Sequence, residues 1–143
     1  MPKWSLSLAL FTFLILVSSS TFAQENGERM FLECKEKVRV MQARGTERME
    51  TITRECLRRI EDLQAAGQNE RARTVAAECI DAIRLTARNC VGNITEVCQR
   101  CIRALREMQA NELADRLEAI CIEARRSVIN KANALIARIR EKF

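Results

Sequence analysis

Five of the chain's seven cysteines, Cys34, Cys56, Cys79, Cys101 and Cys121, follow one another at intervals of 22, 23, 22 and 20 residues. Each sits on an apolar stripe of helical period. The stripes are Phe31, Cys34, Val38 and Met41; Met49, Ile52, Cys56, Ile60 and Leu63; Val75, Cys79 and Ile83; Cys98, Cys101, Leu105 and Met108; and Leu113, Leu117, Ile120 and Cys121. Steps of three and four place such residues on one face of a helix. No window shows the sustained alternation of a strand. An interval of about 22 residues matches one helix plus one turn, so the spacing predicts an all-α, antiparallel up-and-down bundle of about five helices. In that arrangement the five cysteines share one layer at mid-height, where bridges join the helices.

The expected joints are marked by glycine, which most readily takes the positive φ needed just past a helix end. Gly45, Gly67 and Gly92 each interrupt the stripes, and Thr46, Asn69 and Asn93 stand beside them as N-caps. Asn93 has Glu96 three residues on, the spacing of a capping box. A fourth joint, without glycine, is read at Ala110-Asn111-Glu112.

Comparing the chain with itself points to an internal duplication of a helical hairpin. Residues 56–65 align with 101–110, and after a three-residue gap 69–82 align with 111–124, with eleven of 24 pairs identical. If both hairpins carry the same bridge, the pairing is Cys56–Cys79 and Cys101–Cys121. The competing register is Cys34–Cys56 with Cys79–Cys101. In the first scheme Cys90 and Cys98 close a third loop across Gly92, and Cys34 is left as a buried thiol or as the link in a covalent homodimer.

Export is written into the first 23 residues: Lys3, an apolar run of 12 residues from Leu6 to Val17, and Thr21 and Ala23 at the two positions that must be small for cleavage. The run is shorter than the roughly 20 residues that cross a bilayer, which favours a signal peptide over an anchor. Cleavage after Ala23 leaves residues 24–143 as a single disulfide-rich domain. Its destination is extracellular, where thiols oxidise.

Composition removes several chemistries. The chain has no histidine, hence no imidazole base, no imidazole metal ligand and no Ser-His or Cys-His nucleophile pair. Phe31 and Phe143 are the only aromatics after residue 23, which removes the stacking platform of single-strand nucleic-acid binders. Neither an enzyme, a nucleic-acid partner nor a cofactor is expected. Cys98-Gln99-Arg100-Cys101 has the spacing of a dithiol redox motif, but a helical context favours two core cysteines. A zinc site from Cys90, Cys98, Cys101 and a fourth thiol is ranked lower, because an oxidising compartment favours disulfides.

Asn93-Ile94-Thr95 is the sole N-glycosylation sequon. Residues 24–143 carry 23 basic and 19 acidic side chains, a mild excess that admits an acidic extracellular partner. Glu50 with Arg54, Glu55 with Arg59, Glu96 with Arg100 and Glu112 with Arg116 stand four apart, as on solvated helix faces. Near the C-terminus Val128, Ala132, Leu135 and Ile139 form an apolar stripe beside Arg125, Arg126, Lys131, Arg138 and Arg140. That is a partner or membrane surface if exposed. Packing of the stripe against the bundle is the favoured reading, with a break near Ser127 or Asn130 if the helix folds back.

The expectation is a secreted, disulfide-stabilised helical protein that acts by binding, as an effector or as an extracellular structural component. One alternative is a carrier holding a small apolar ligand within the bundle near Met30, Met41, Met49 and Met108. The other is a membrane-active protein using the C-terminal helix.

Overall fold

The computed structural model describes the backbone from Trp4 and the side chains from Thr21 to Phe143. Lys3 and the apolar run of the expected signal peptide lie outside the described side chains. Among the described residues the chain forms three helices and no strand: α1 (Trp4–Ala65), α2 (Asn69–Glu107) and α3 (Asn111–Arg140). The fold is all-α, as expected, but the count of about five helices is corrected to three.

The reason lies in the two glycines that do not turn. Gly45 lies inside α1 and Gly92 inside α2. A helix-interior glycine costs about 1 kcal/mol relative to alanine, whereas full burial of one Leu or Ile side chain returns about 1.5–3 kcal/mol. Apolar stripes continue on both sides of each glycine, so packing carries the helix through. Thr46 and Asn93 are therefore mid-helix residues. The expected capping box is absent, and Glu96 instead pairs with Arg100 at 3.1 Å.

The true joints, Ala66–Gln68 and Met108–Ala110, have the same hydrogen-bond pattern. Gly67 donates to the Gln64 carbonyl at 3.0 Å and Gln68 to the Leu63 carbonyl at 2.8 Å. In the second joint Gln109 donates to Arg106 at 2.9 Å and Ala110 to Leu105 at 2.8 Å. This pairing satisfies the last free carbonyls of a helix and requires a left-handed residue just past its end. Gly67 meets that requirement at φ 73° and Gln109 at φ 60°. Asn69 and Asn111 are the first residues of α2 and α3 rather than side-chain caps, because Gln68 and Ala110 occupy the cap positions without a side-chain hydrogen bond.

All three helix pairs are in contact. The core runs the length of the bundle. Phe31, Val38, Met49 and Ile60 from α1 are buried, as are Ile83, Ile94 and Leu105 from α2 and Leu117, Val128, Leu135 and Ile139 from α3. Thr53, the one buried polar residue among those described, is satisfied by donating to the Met49 carbonyl at 2.8 Å. Among the described residues the first buried one is Gly27, which packs near Ala110 and Leu113, while residues 21–25 are exposed. At the other end Lys142 reaches Glu61 at 2.8 Å, and Arg73 lies 5.6 Å from the Phe143 ring centroid. The helix α3 runs unbroken past Ser127 and Asn130, so no fold-back occurs.

Candidate functional site

The disulfides fix the frame in which any site must sit. Cys34 bonds Cys101, Cys56 bonds Cys79 and Cys98 bonds Cys121, with Cα separations of 6.2, 6.2 and 6.3 Å, within the range a disulfide spans. Cys56–Cys79 is the bridge expected across Gly67. Cys101–Cys121 and Cys90–Cys98 are corrected, and the unpaired residue is Cys90 rather than Cys34.

The correction follows from the second turn. Cys56 stands eleven positions before Gly67 and Cys79 twelve after it; Cys98 and Cys121 stand in the same relation to Gln109. Placing the joint at Asn111 instead made Cys101 look like the partner of Cys121. The single mid-height layer is also corrected. Cys34 and Cys56 lie on the same helix, so 22 residues at about 1.5 Å each separate two bridged levels by about 33 Å.

At the Phe31 end, Cys98 and Cys101 of α2 reach α3 and α1 respectively, so the C-x-x-C pair clamps all three helices. Neither sulfur is left for dithiol redox chemistry or for zinc. Among the described residues no group of three or more Cys, Asp or Glu side chains is placed to hold a metal ion.

Cys34 faces Cys101 and Cys56 faces Cys79; midway between these bridges Gly45 faces Cys90. The three facing pairs recur every eleven residues along both helices. That interval is close to three full turns and keeps all three on one seam. A Cβ at Gly45 would overlap the Cys90 sulfur and lie 3.0 Å from its Cβ. Gly45 therefore serves close approach of the helices, a role its sequence context did not separate from a turn. Cys90 is buried and donates its thiol hydrogen to the Met41 carbonyl at 3.5 Å. Burial pushes the thiol pKa up and keeps the sulfur protonated.

Above this pair lies a surface cleft of about 350 Å³ between α1 and α2. Met41, Arg44 and Arg48 line its α1 side, and Leu85, Asn89 and Asn93 its α2 side. Among the described residues neither Arg44 nor Arg48 is in an ion pair. Leu85 is 54% exposed. Sequence reasoning missed both arginines as a site, because only the register of α2 on α1 brings them into one cleft with Leu85 and Asn89.

The other expected site residues are dispersed. Asn93 is exposed at the rim of the cleft, on a helix rather than in a turn. In α3 the stripe Val128, Ala132, Leu135 and Ile139 is buried in the bundle. Arg126 pairs with Glu123 at 3.2 Å and Lys131 with Glu50 at 2.6 Å. The Lys131 hydrogen bond holds the Glu50 carboxyl below the usual carboxylate range. Arg138 and Arg140 are exposed and Arg125 half-buried. Of the four expected (i, i+4) ion pairs, Glu96–Arg100 forms; Glu50 turns to Lys131, and the other two are absent among the described residues. No described helix is long and apolar enough to cross a membrane. Met49 is fully buried and Met108 sits in the second joint, so of the four methionines only Met41 borders this cleft.

Comparison with family models, curated proteins and solved structures gives no match. The fold and its bridges define the class: an all-helical, disulfide-tied three-helix protein.

Proposed function

We propose that the chain is exported, cut after Ala23, and acts outside the cell as a rigid binding protein without catalytic activity. The observation that carries this reading is the set of three disulfides tying every helix to another, since such bridges persist in oxidising compartments. The export half is supported by the boundary at Gly27: residues 21–25 are exposed, so a cut after Ala23 leaves every buried residue among those described in place. The binding half is supported by the side chains on offer. The one free thiol, Cys90, is protonated and hydrogen-bonded, with no imidazole in the chain to activate it.

Of the alternatives, a ligand carrier has the Cys90 cleft in its favour, though at the surface rather than inside the bundle. The membrane-active reading has less behind it, because the stripe that would face lipid is buried. A covalent homodimer likewise has less behind it, because the odd thiol is buried. A duplicated hairpin is favoured by the equal placement of the two bridges about their turns, and Asn93 is proposed to carry an N-linked glycan where the cell supplies one.

Expression in a eukaryotic secretory cell tests the proposal. The expected product is recovered from the medium, begins at Gln24, exposes a single thiol after denaturation and loses glycan mass from Asn93 on enzymatic deglycosylation. A full-length chain retained in the cell with all thiols reduced contradicts it.

A further inference from the structure

Among the clefts between the described helices, four carry carboxylates: Asp62 and Glu78, Glu107 and Glu118, Glu47 and Glu50, and Glu141. The cleft over Gly45 has none. Its two guanidiniums, Arg44 and Arg48, stand one helical turn apart, where like charges repel; among the described residues neither is in an ion pair, and Glu47 of the same turn lines the neighbouring cleft instead. The cleft is thus lined by two guanidiniums and by no carboxylate. Beside them the lining turns apolar, with Met41, the exposed Leu85 and the Cys90 sulfur. The volume of about 350 Å³ falls in the range of small-molecule sites, which combine an apolar lining with a few charged or polar anchors.

We propose that this cleft binds an amphipathic anion, a long-chain carboxylate whose head group lies between Arg44 and Arg48 and whose chain lies along Met41 and Leu85. Charge complementarity selects the anion, since a planar guanidinium fork matches a carboxylate with paired hydrogen bonds. The apolar side selects a chain over a bare ion. Gly45 holds the floor low: any side chain there would meet Cys90. The inference rests on the reading of the protein as a binder and names its ligand class.

Titration calorimetry of the oxidised protein with dodecanoate, kept below its micelle concentration, tests the proposal. One-to-one saturable binding is expected, weakened at least tenfold in Arg44→Gln/Arg48→Gln. Both side chains are exposed, so the variant keeps its fold, checked by circular dichroism. The methyl ester and acetate are expected to bind at least tenfold more weakly, since each lacks one half of the recognition. Bound dodecanoate is also expected to slow alkylation of Cys90 by iodoacetamide. No saturation, equal affinity in the double variant, equal binding of the ester or of acetate, or an unchanged Cys90 rate at saturation would each overturn the proposal. A null titration with a correctly oxidised protein recovered from medium removes this ligand but leaves the secreted binder standing. Retention of a reduced chain in the cell removes the secreted binder itself.

Discussion

The two hairpins of the bundle are closed by the same turn and differ in what holds them beyond it. Both turns use the same pair of backbone hydrogen bonds and one left-handed residue, and each is followed by a bridge spanning 23 residues. The α1–α2 hairpin is tied again at its far end by Cys34–Cys101 and pinched midway at Gly45 and Cys90. The α2–α3 hairpin is tied once. Beyond Cys121, helix α3 is held by its apolar stripe, by Lys131–Glu50 and Lys142–Glu61, and by the Gln42 amide donating to the Ser127 hydroxyl at 2.9 Å. One hairpin is fixed covalently along its length, and the other depends on packing.

Removing bridges should separate the two hairpins most strongly. In the chain-entropy account a 67-residue loop contributes about 4 kcal/mol and a 23-residue loop about 3 kcal/mol. Chemical denaturation of Cys34→Ala/Cys101→Ala is therefore expected to show the largest loss. Cys56→Ala/Cys79→Ala and Cys98→Ala/Cys121→Ala should lose less, but only the latter should speed amide exchange throughout α3. Equal exchange in all three variants would break the comparison.

The pinch gives the next effect. Gly45→Ala forces a methyl group into the Cys90 sulfur, and overpacking of this kind costs about 1–3 kcal/mol. Gly92→Ala meets nothing within 4 Å on an exposed helix face, and should gain up to about 1 kcal/mol in helix propensity. Thermal melts of the two variants should move in opposite directions. Parallel shifts would mean that Gly45 is not a contact residue.

The turns themselves should differ by less. Gln109→Gly relieves a left-handed non-glycine residue, and Gly67→Ala creates one. A gain and a loss of about 0.5–1 kcal/mol are expected, read as opposite shifts in denaturation midpoint.

The smallest effect concerns pH. Burial raises the Cys90 pKa above the ordinary thiol value of about 8.5. Iodoacetamide labelling of the folded protein should therefore rise at higher pH than labelling of the unfolded chain. Because the unfolded chain releases this proton first, stability should decline as pH rises through the ordinary thiol range. Cys90→Ala should flatten that decline. Coincident labelling profiles would show that the thiol is open to solvent.

The same contrast explains what the residues alone could reveal. Helical class, the stripes that form the core and the Cys56–Cys79 bridge follow from local periodicity and from a glycine that does turn. The second turn carries no glycine, so its left-handed residue, Gln109, was invisible, and an error of two positions in the joint moved a bridge from Cys98 to Cys101. Gly45 and Gly92 misled in the opposite sense, because a glycine chosen for close approach reads like a glycine chosen for a turn. The cleft was out of reach for a related reason. Its lining is defined by which α2 residues lie against Arg44 and Arg48, which no spacing along α1 encodes.

The central claim is that three specific bridges tie three long helices while Cys90 stays free, and peptide mapping of the non-reduced protein tests it most directly. Thiols are to be blocked with an alkylating agent at acidic pH on unfolding, so that no exchange occurs. The account predicts Cys34 linked to Cys101, Cys56 to Cys79 and Cys98 to Cys121, with alkylation at Cys90 alone. A Cys101–Cys121 or Cys90–Cys98 peptide, or seven alkylated cysteines, would contradict it.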